Sequence, residues 1–132
     1  MGTFHSICVR ILRRYIDRIG YKTDFVIFDT SDQKTLIKEC LKTLKVDDKI
    51  FTDRGVLSEI SNGKNEMLEP KAYGVKYAGD FRKKTIAEIY ELYQRRLREN
   101  NAIDFDDIIN FTIKILSENP DVLDYYTEKF KY

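Results

Sequence analysis

Residues 79–100 read GDFRKKTIAEIYELYQRRLREN and carry a long helical pattern. Their apolar side chains recur at three- and four-residue steps, which places them on one face of an α-helix. The apolar residues on this face are Ile86, Ile89, Tyr90, Tyr93 and Leu97. Gly79 breaks the preceding segment, and the carboxylate of Asp80 can cap free amide groups of the first turn. We therefore predict a helix that ends near Asn100 and buries this stripe.

Two amphipathic helices are predicted nearer the N-terminus. The first covers residues 4–19 and ends at Gly20. The second begins near Thr30, because Thr30 and Gln33 stand three residues apart and can cap two free amide groups reciprocally. Residues 25–28 (FVIF) between them are β-prone but have no evident partner strand, so we interpret them as extended linker.

Helices are also predicted for the remaining segments. A weaker third helix covers residues 53–61 and is broken by Ser-Asn-Gly at 61–63, after which a loop leads to a short helix over residues 70–77. Asp104 caps the next helix, and Asn119-Pro120 opens the last one. Every assigned segment is therefore helix or connection.

The composition indicates one soluble globular domain. The 132 residues are 42% hydrophobic and 34% charged, with six Gly and two Pro, which excludes disordered and collagen-like chains. We predict an all-α fold, a compact single domain of about six to seven helices over residues 1–132. Cys8 and Cys40 form no disulfide framework, so a reducing cytoplasm fits best. No apolar run approaches the roughly 20 residues of a membrane span, and the N-terminus is not a signal peptide.

Charge is segregated along the chain although the net charge is only +1. Residues 1–22 hold five basic residues against one acid, and residues 82–98 hold six against two. Residues 101–132 reverse the balance, with seven acids against three lysines. Three arginines of the first segment stand four residues apart on one predicted helical face, namely Arg10, Arg14 and Arg18. They could contact successive phosphates of a nucleic acid, but a solvated outer face explains the same stripe.

Catalytic motifs are missing from these residues. The segment Gly63-Lys64-Asn65 is not a phosphate loop, because Ser58 stands where the first glycine should be. His5 is the only histidine, so a zinc site or a Ser-His-Asp triad would depend on it alone. The three aspartates at 104, 106 and 107 could hold a cation, but acids in a first turn also stabilise the positive end of a helix. We assign no catalytic residue and no metal site.

Several segments stand in a recognisable order along nearly the whole chain. They are Thr3-Phe4-His5-Ser6 continuing to Arg14, Ile60-Ser61 with Lys64-Asn65-Glu66, Tyr93-Gln94-Arg95-Arg96-Leu97, Asp104-Phe105-Asp106-Asp107-Ile108, and Pro120-Asp121-Val122-Leu123 with Tyr126, Lys129 and Phe130. This order resembles that of UvrD/PcrA/Rep-like superfamily 1 DNA helicases. Ile103 and Ile108 stand where that family usually has Leu.

The resemblance implies that the chain is helical subdomain 1B, an insertion in the first RecA-like motor domain of an ATP-dependent 3′→5′ DNA helicase used in repair and replication. The family's phosphate loop and Asp-Glu motif both lie outside this segment, so we expect the chain alone not to hydrolyse ATP. The parent would bind ATP and Mg²⁺, while this fragment would hold no cofactor. The implied partners are DNA, as single strand and as single/double-strand junction, and the remaining motor domains. Met1-Gly2 is interpreted as an added start.

The resemblance also implies site residues. Those beside the single-strand path are Thr3, Phe4, His5 and Ser6, and those suited to the DNA backbone, in the predicted loop, are Lys64 and Asn65. Near the motor-domain interface, and therefore exposed in this chain, would be Asp104, Asp106 and Asp107. Simpler alternatives are a core position for Phe4 and ordinary surface polarity for Lys64 and Asn65. The competing function is a helical protein-interaction or structural module without intrinsic DNA affinity.

Overall fold

The computed structural model describes residues 4–129, and the chain divides into two compact units. Unit 1 combines the N-terminal segment up to Phe25 with the C-terminal segment from Asp107, and unit 2 is the continuous segment Val26–Asp106. Within the described residues the α-helices are α1 (Phe4–Tyr15), α2 (Thr30–Thr43), α3 (Asp53–Asn65), α4 (Pro70–Lys76), α5 (Phe81–Glu99), α6 (Phe105–Glu118) and α7 (Pro120–Lys129). The all-α prediction is confirmed, whereas the single domain over residues 1–132 stays a prediction. Over residues 4–129, every helix is too short or too polar to cross a membrane.

Unit 1 is built around α1. This helix ends at Tyr15, and a single 3-10 turn over Ile16–Ile19 follows it, so the predicted α-helix over residues 4–19 is four residues too long. Gly20 ends the turn at φ 92°, a left-handed conformation that favours glycine. The guanidinium of Arg13 lies 3.9 Å from the centroid of the Phe25 ring and donates to the carbonyl oxygens of Thr23 and Phe25. One arginine thus holds the returning chain against α1.

Unit 2 packs α2, α3 and α4 against α5. All five stripe residues of α5 are buried in one hydrophobic cluster: Ile86, Ile89, Tyr90, Tyr93 and Leu97. Cys40 of α2 belongs to the same cluster, and burial raises the pKa of its thiol to about 11. This thiol is therefore neutral at physiological pH and packs as an apolar side chain.

Aspartates cap the two longest helices of unit 2. The carboxylate of Asp80 accepts a hydrogen bond from the Lys83 amide at 3.2 Å, which confirms the predicted cap of α5. At α2 the reciprocal cap is formed by Asp29 and Asp32, so the predicted box of Thr30 and Gln33 is wrong by one residue. Each partner lies one residue before the predicted one, and the carboxylate of Asp32 accepts the hydrogen bond that was expected of the Gln33 side chain.

Residues 25–28 are not merely linker. Val26 and Ile27 form strand β1, which pairs in parallel with strand β2 (Ala102–Ile103). The Phe28 amide also donates to the Ile103 carbonyl at 2.8 Å. The sequence hid this pair because the partner strand is only two residues long and lies some seventy residues away. As a result, the two ends of unit 2 are joined to each other.

The third helix does not end at Ser61-Asn62-Gly63. Helix α3 continues to Asn65, so the predicted helix over residues 53–61 is four residues too short and the predicted loop begins too early. Gly63 is buried, and a β-carbon added there would lie 3.1 Å from the ring of Tyr73. Glycine at this position is therefore a packing requirement between α3 and α4, and the predicted helix break at Ser61-Asn62-Gly63 is wrong.

Replacing Gly63 with alanine should destabilise the protein despite alanine's higher helix propensity. The Tyr73 ring cannot retreat, because it is buried against Tyr77 and Tyr90 and its hydroxyl donates to Glu59 at 3.0 Å. Gly74→Ala is the matched control, since its new β-carbon would meet Ala87 at an ordinary 3.5 Å. The free energy of unfolding of this variant should rise by up to about 1 kcal/mol, because alanine has the higher helix propensity. Urea unfolding of both variants measures the difference, and equal stabilisation by both would contradict this packing role.

Candidate nucleic-acid interface

The first turn of α1 carries three of the residues expected beside single-stranded DNA. Phe4, His5 and Ser6 are all exposed, and Thr3 lies outside the described residues. Phe4 is 64% exposed, so the alternative that it enters the core at the helix start is wrong. An exposed ring, an imidazole and a hydroxyl on one turn are groups that can contact bases and phosphates.

The arginine stripe is not uniform. Arg10 and Arg14 lie exposed on α1, but Arg18 falls in the 3-10 turn, so the single α-helical face predicted for the three is wrong. The Arg18 guanidinium donates to Asn119 at 3.0 Å and lies 3.2 Å from the Asp121 carboxylate, and its hydrogen bond lowers the pKa of Asp121. Arg18 therefore already has an anionic partner within unit 1.

Aromatic rings cover the second arginine of the stripe. The Arg14 guanidinium lies 5.7 Å from the ring centroids of both Tyr15 and Tyr125. A cation over an aromatic face keeps its charge but is held in place by the attraction to the ring. Arg10 is the member for which the described residues supply no such partner. It is the arginine of the stripe best able to meet a phosphate.

Lys64 is not a surface residue. It lies in the last turn of α3, and its side chain is only 3% exposed, so both the predicted loop and the expected surface position are wrong for this residue. Its ammonium nitrogen is 2.7 Å from the Oδ2 atom of Asp104, whose side chain is fully buried. Asn65, the next residue, is exposed. Only Asn65 of this pair lies where DNA could reach it in this conformation.

The Lys64–Asp104 ion pair belongs to a buried polar network. The Tyr93 hydroxyl donates to the same Asp104 oxygen at 2.8 Å, and the Gln33 side chain donates to the Tyr93 hydroxyl at 3.1 Å. The network joins α2, α3 and α5 to the chain leaving β2. Sequence periodicity could have found its lysine, since Val56, Ile60 and Lys64 stand four residues apart on the inner face of α3.

The acidic segment is also less accessible than the resemblance implied. Asp104 and Asp107 are buried and Asp106 is half-buried, so the expectation that this chain exposes all three is wrong. Among residues 4–129, histidine, cysteine and acidic side chains form no group of three suited to a metal ion. The Gly63-Lys64 segment does not fit a triphosphate either, because it is helical and its ammonium is buried on a carboxylate.

Unit 1 also has an apolar groove between α1, α6 and α7, with a volume of about 270 Å³. The groove includes three apolar side chains that are exposed, namely Phe4, Ile113 and Leu123. An exposed apolar recess of this kind is typical of a surface that contacts another polypeptide segment.

Removing the Lys64 charge should destabilise unit 2 much more than removing an exposed lysine. Lys64→Met leaves the Asp104 carboxylate buried without its cation, which costs about 3–5 kcal/mol. Lys64→Met combined with Asp104→Leu should recover at least half of that loss. Lys76→Met is the matched control, because its pair with Glu66 is half-exposed and screened by solvent, so its loss should cost far less. Urea unfolding measures all three, and similar losses for Lys64→Met and Lys76→Met would contradict the network's role.

The whole chain is similar to a known helicase family. Residues 1–132 match the model of the UvrD/REP helicase N-terminal domain. The chain is 46% identical to the ATP-dependent DNA helicase PcrA of Bacillus subtilis (strain 168), and 48% identical to the PcrA proteins of Staphylococcus epidermidis and Staphylococcus aureus. Each alignment covers 100% of this chain and 18% of the relative, so the chain spans less than a fifth of those proteins. On these matches, the chain belongs to the UvrD/REP helicase family.

Proposed function

We propose that this chain is a DNA-contacting segment of an ATP-dependent 3′→5′ DNA helicase that acts in repair and replication. The observation that carries the proposal is the exposed first turn of α1, where Phe4, His5 and Ser6 stand in a Thr-Phe-His-Ser segment that resembles the family's, with Arg10 one and a half turns away. Similarity to PcrA helicases over the entire chain supports the same function.

The helical insertion called subdomain 1B corresponds, in this proposal, to unit 2 rather than to all 132 residues. Unit 2 is continuous in sequence, and the two segments of unit 1 flank it on either side. Pairing of β1 with β2 brings the entry and the exit of unit 2 together, as an insertion into a host domain requires. The flanking segments of unit 1 would then belong to the first motor domain, and the remaining motor domains are the expected protein partners.

The DNA contacts proposed for this chain are weak and electrostatic. Arg10 would neutralise a phosphate, while His5 and Ser6 would donate to the backbone and Phe4 would lie against a base or sugar. Asn65 could donate from the end of α3. Binding of ATP and Mg²⁺ is assigned to other parts of the parent protein, so detectable ATP turnover by this chain would contradict the proposal.

A protein-interaction module is the second candidate function, and the apolar groove of unit 1 favours it. Its exposed side chains Ile113 and Leu123 have no role in binding a polyanion. Under this alternative the groove would receive an apolar segment of a motor domain or of a separate repair protein, and the arginines would surround that contact.

DNA titration separates the two candidates. The chain should bind a labelled duplex with a 3′ single-stranded tail at low salt and lose affinity as salt rises, because each phosphate contact releases counterions. Arg10→Gln should reduce the slope of log K against log salt by about 0.7 to 0.9, the contribution of one phosphate contact. Lys42→Gln is the charge-matched control, since this exposed lysine of α2 lies in unit 2 and outside every proposed contact.

Fluorescence anisotropy of the labelled DNA gives both affinities and slopes. Equal slopes for Arg10→Gln and Lys42→Gln would show that Arg10 is not a contact. Absence of binding even at low salt would overturn the DNA-contact proposal and leave the protein-interaction module as the function to pursue.

A further inference from the structure

The turn between α4 and α5 presents two apolar side chains to solvent. Phe81 is 85% exposed and Val75 is 73% exposed, the two highest values among the large hydrophobic residues of the described chain. They flank the same four-residue turn, Phe81 as the first residue of α5 and Val75 near the end of α4. We call residues 75–84 the α4–α5 tip. Two such exposures at one turn point to a contact surface, because single exposed apolar residues are ordinarily scattered.

The α4–α5 tip is held rigidly by contacts on its inner side. The Asp80 amide donates to the Tyr77 carbonyl at 2.9 Å, which closes the turn. Gly74 and Ala87 bring the two helices together, because a β-carbon added at Gly74 would lie 3.5 Å from that of Ala87. These contacts hold the backbone that carries Phe81 in place, so ordering that backbone costs little conformational entropy when a partner binds.

Ion pairs fasten the same elements to α3. Lys76 lies 3.2 Å from Glu66, and Lys83 lies 3.8 Å from Glu59. These two lysines are therefore compensated within unit 2. Phe81 and Val75 take no part in these ion pairs and remain exposed on the outer side of the α4–α5 tip.

Arg82 and Lys84 belong to the same tip as the exposed side chains, and Lys71 lies one turn before Val75 on α4. Lys71 and Lys84 are exposed and have no ion-pair or hydrogen-bond partner among the described residues. The Arg82 guanidinium lies 5.0 Å from the Phe51 ring centroid, a contact that leaves its charge in place. Residues 75–84 contain one acid, Asp80. The surroundings of Phe81 and Val75 are thus positive, which fits an anionic partner.

We propose that the α4–α5 tip binds single-stranded DNA, with the Phe81 ring stacking on an unpaired base and Lys84 meeting a neighbouring phosphate. An exposed aromatic ring beside uncompensated cations is the combination that single-strand binding uses, because every base has a face for stacking and every nucleotide carries a phosphate. Lys84 follows Phe81 by three residues on α5, so both side chains lie on one face of that helix. This inference rests on the proposed DNA contact and adds to it a second binding surface, in unit 2.

The test compares the wild-type chain with Phe81→Ala, Phe81→Leu and Ile50→Ala on two labelled probes. One probe is a duplex with a 3′ single-stranded tail carrying 2-aminopurine, and the other is the same duplex without a tail. Ile50→Ala is the matched control, because Ile50 is 63% exposed in unit 2 but lies in the loop before α3. Circular dichroism melting of each variant verifies that the fold is retained.

Phe81→Ala should weaken binding to the tailed probe by roughly five-fold or more, the lower end of what one stacked base contributes. Phe81→Leu should weaken it nearly as much, since leucine keeps the apolar volume but loses the flat ring. Ile50→Ala should bind like the wild type, and Lys84→Gln should lower the salt slope by about 0.7. Quenching of 2-aminopurine by the wild type should be lost in Phe81→Ala.

Three other outcomes would overturn the proposal, and they differ in what else they affect. Wild-type affinity for Phe81→Ala would overturn the α4–α5 tip as a binding surface while leaving DNA binding by the chain intact. Equal losses on the tailed and untailed probes would exclude stacking on an unpaired base. Failure of the wild type to bind either probe at low salt would overturn both this inference and the proposed function.

Discussion

A lysine ammonium and an aspartate carboxylate buried against each other constrain the whole of unit 2. Two charges removed from water are tolerated only if they meet each other with good geometry and their remaining hydrogen-bonding capacity is used. Lys64 and Asp104 satisfy the first requirement at 2.7 Å, and the Tyr93 hydroxyl contributes to the second. Because a carboxylate so deeply buried needs its cation, α3 must extend to Lys64 and the chain leaving β2 must return to it.

Much of unit 2 could be predicted from periodicity alone. Where the structure differs from the prediction, the difference has an identifiable physical cause. The α5 stripe and its Asp80 cap depend on spacing within one helix, which a sequence shows directly. The β1–β2 pair depends on residues far apart in the chain, and two-residue strands give no periodic signal. The sequence does not distinguish a glycine that ends a helix from one that makes room for a neighbouring ring, and Gly63 is of the second kind.

The candidate site was harder to predict than the fold, because a basic residue in a sequence does not reveal its partner. The motif around Lys64 suggests that this residue contacts a DNA phosphate, whereas in the structure it forms a buried ion pair with Asp104. Arg18 belongs to a stripe by spacing but is paired with Asp121. Phe81, in contrast, gives no signal in the sequence, because only the three-dimensional structure shows that its ring lies outside the core. A charged side chain is available to a ligand only if it is not already paired within the protein, and only the three-dimensional structure shows this pairing.

The basic residues differ in what already neutralises them. Lys64 and Arg18 are bound to carboxylates and stabilise their units, whereas Arg10 on α1 and Lys84 in the α4–α5 tip belong to the group that is exposed without such a partner among the described residues and is available to a polyanion. Membership of the UvrD/REP helicase family makes DNA the polyanion to consider first. The central claim is that DNA contacts the available group and does not reach Lys64.

Chemical-shift mapping of the ¹⁵N-labelled chain with a 3′-tailed duplex at low salt tests this claim most directly. The account predicts that backbone amide signals of residues 4–10 and of residues 75–84 shift on titration, while the side-chain ammonium signal of Lys64 does not. Shifts centred on Lys64, with residues 4–10 and 75–84 unchanged, would contradict it.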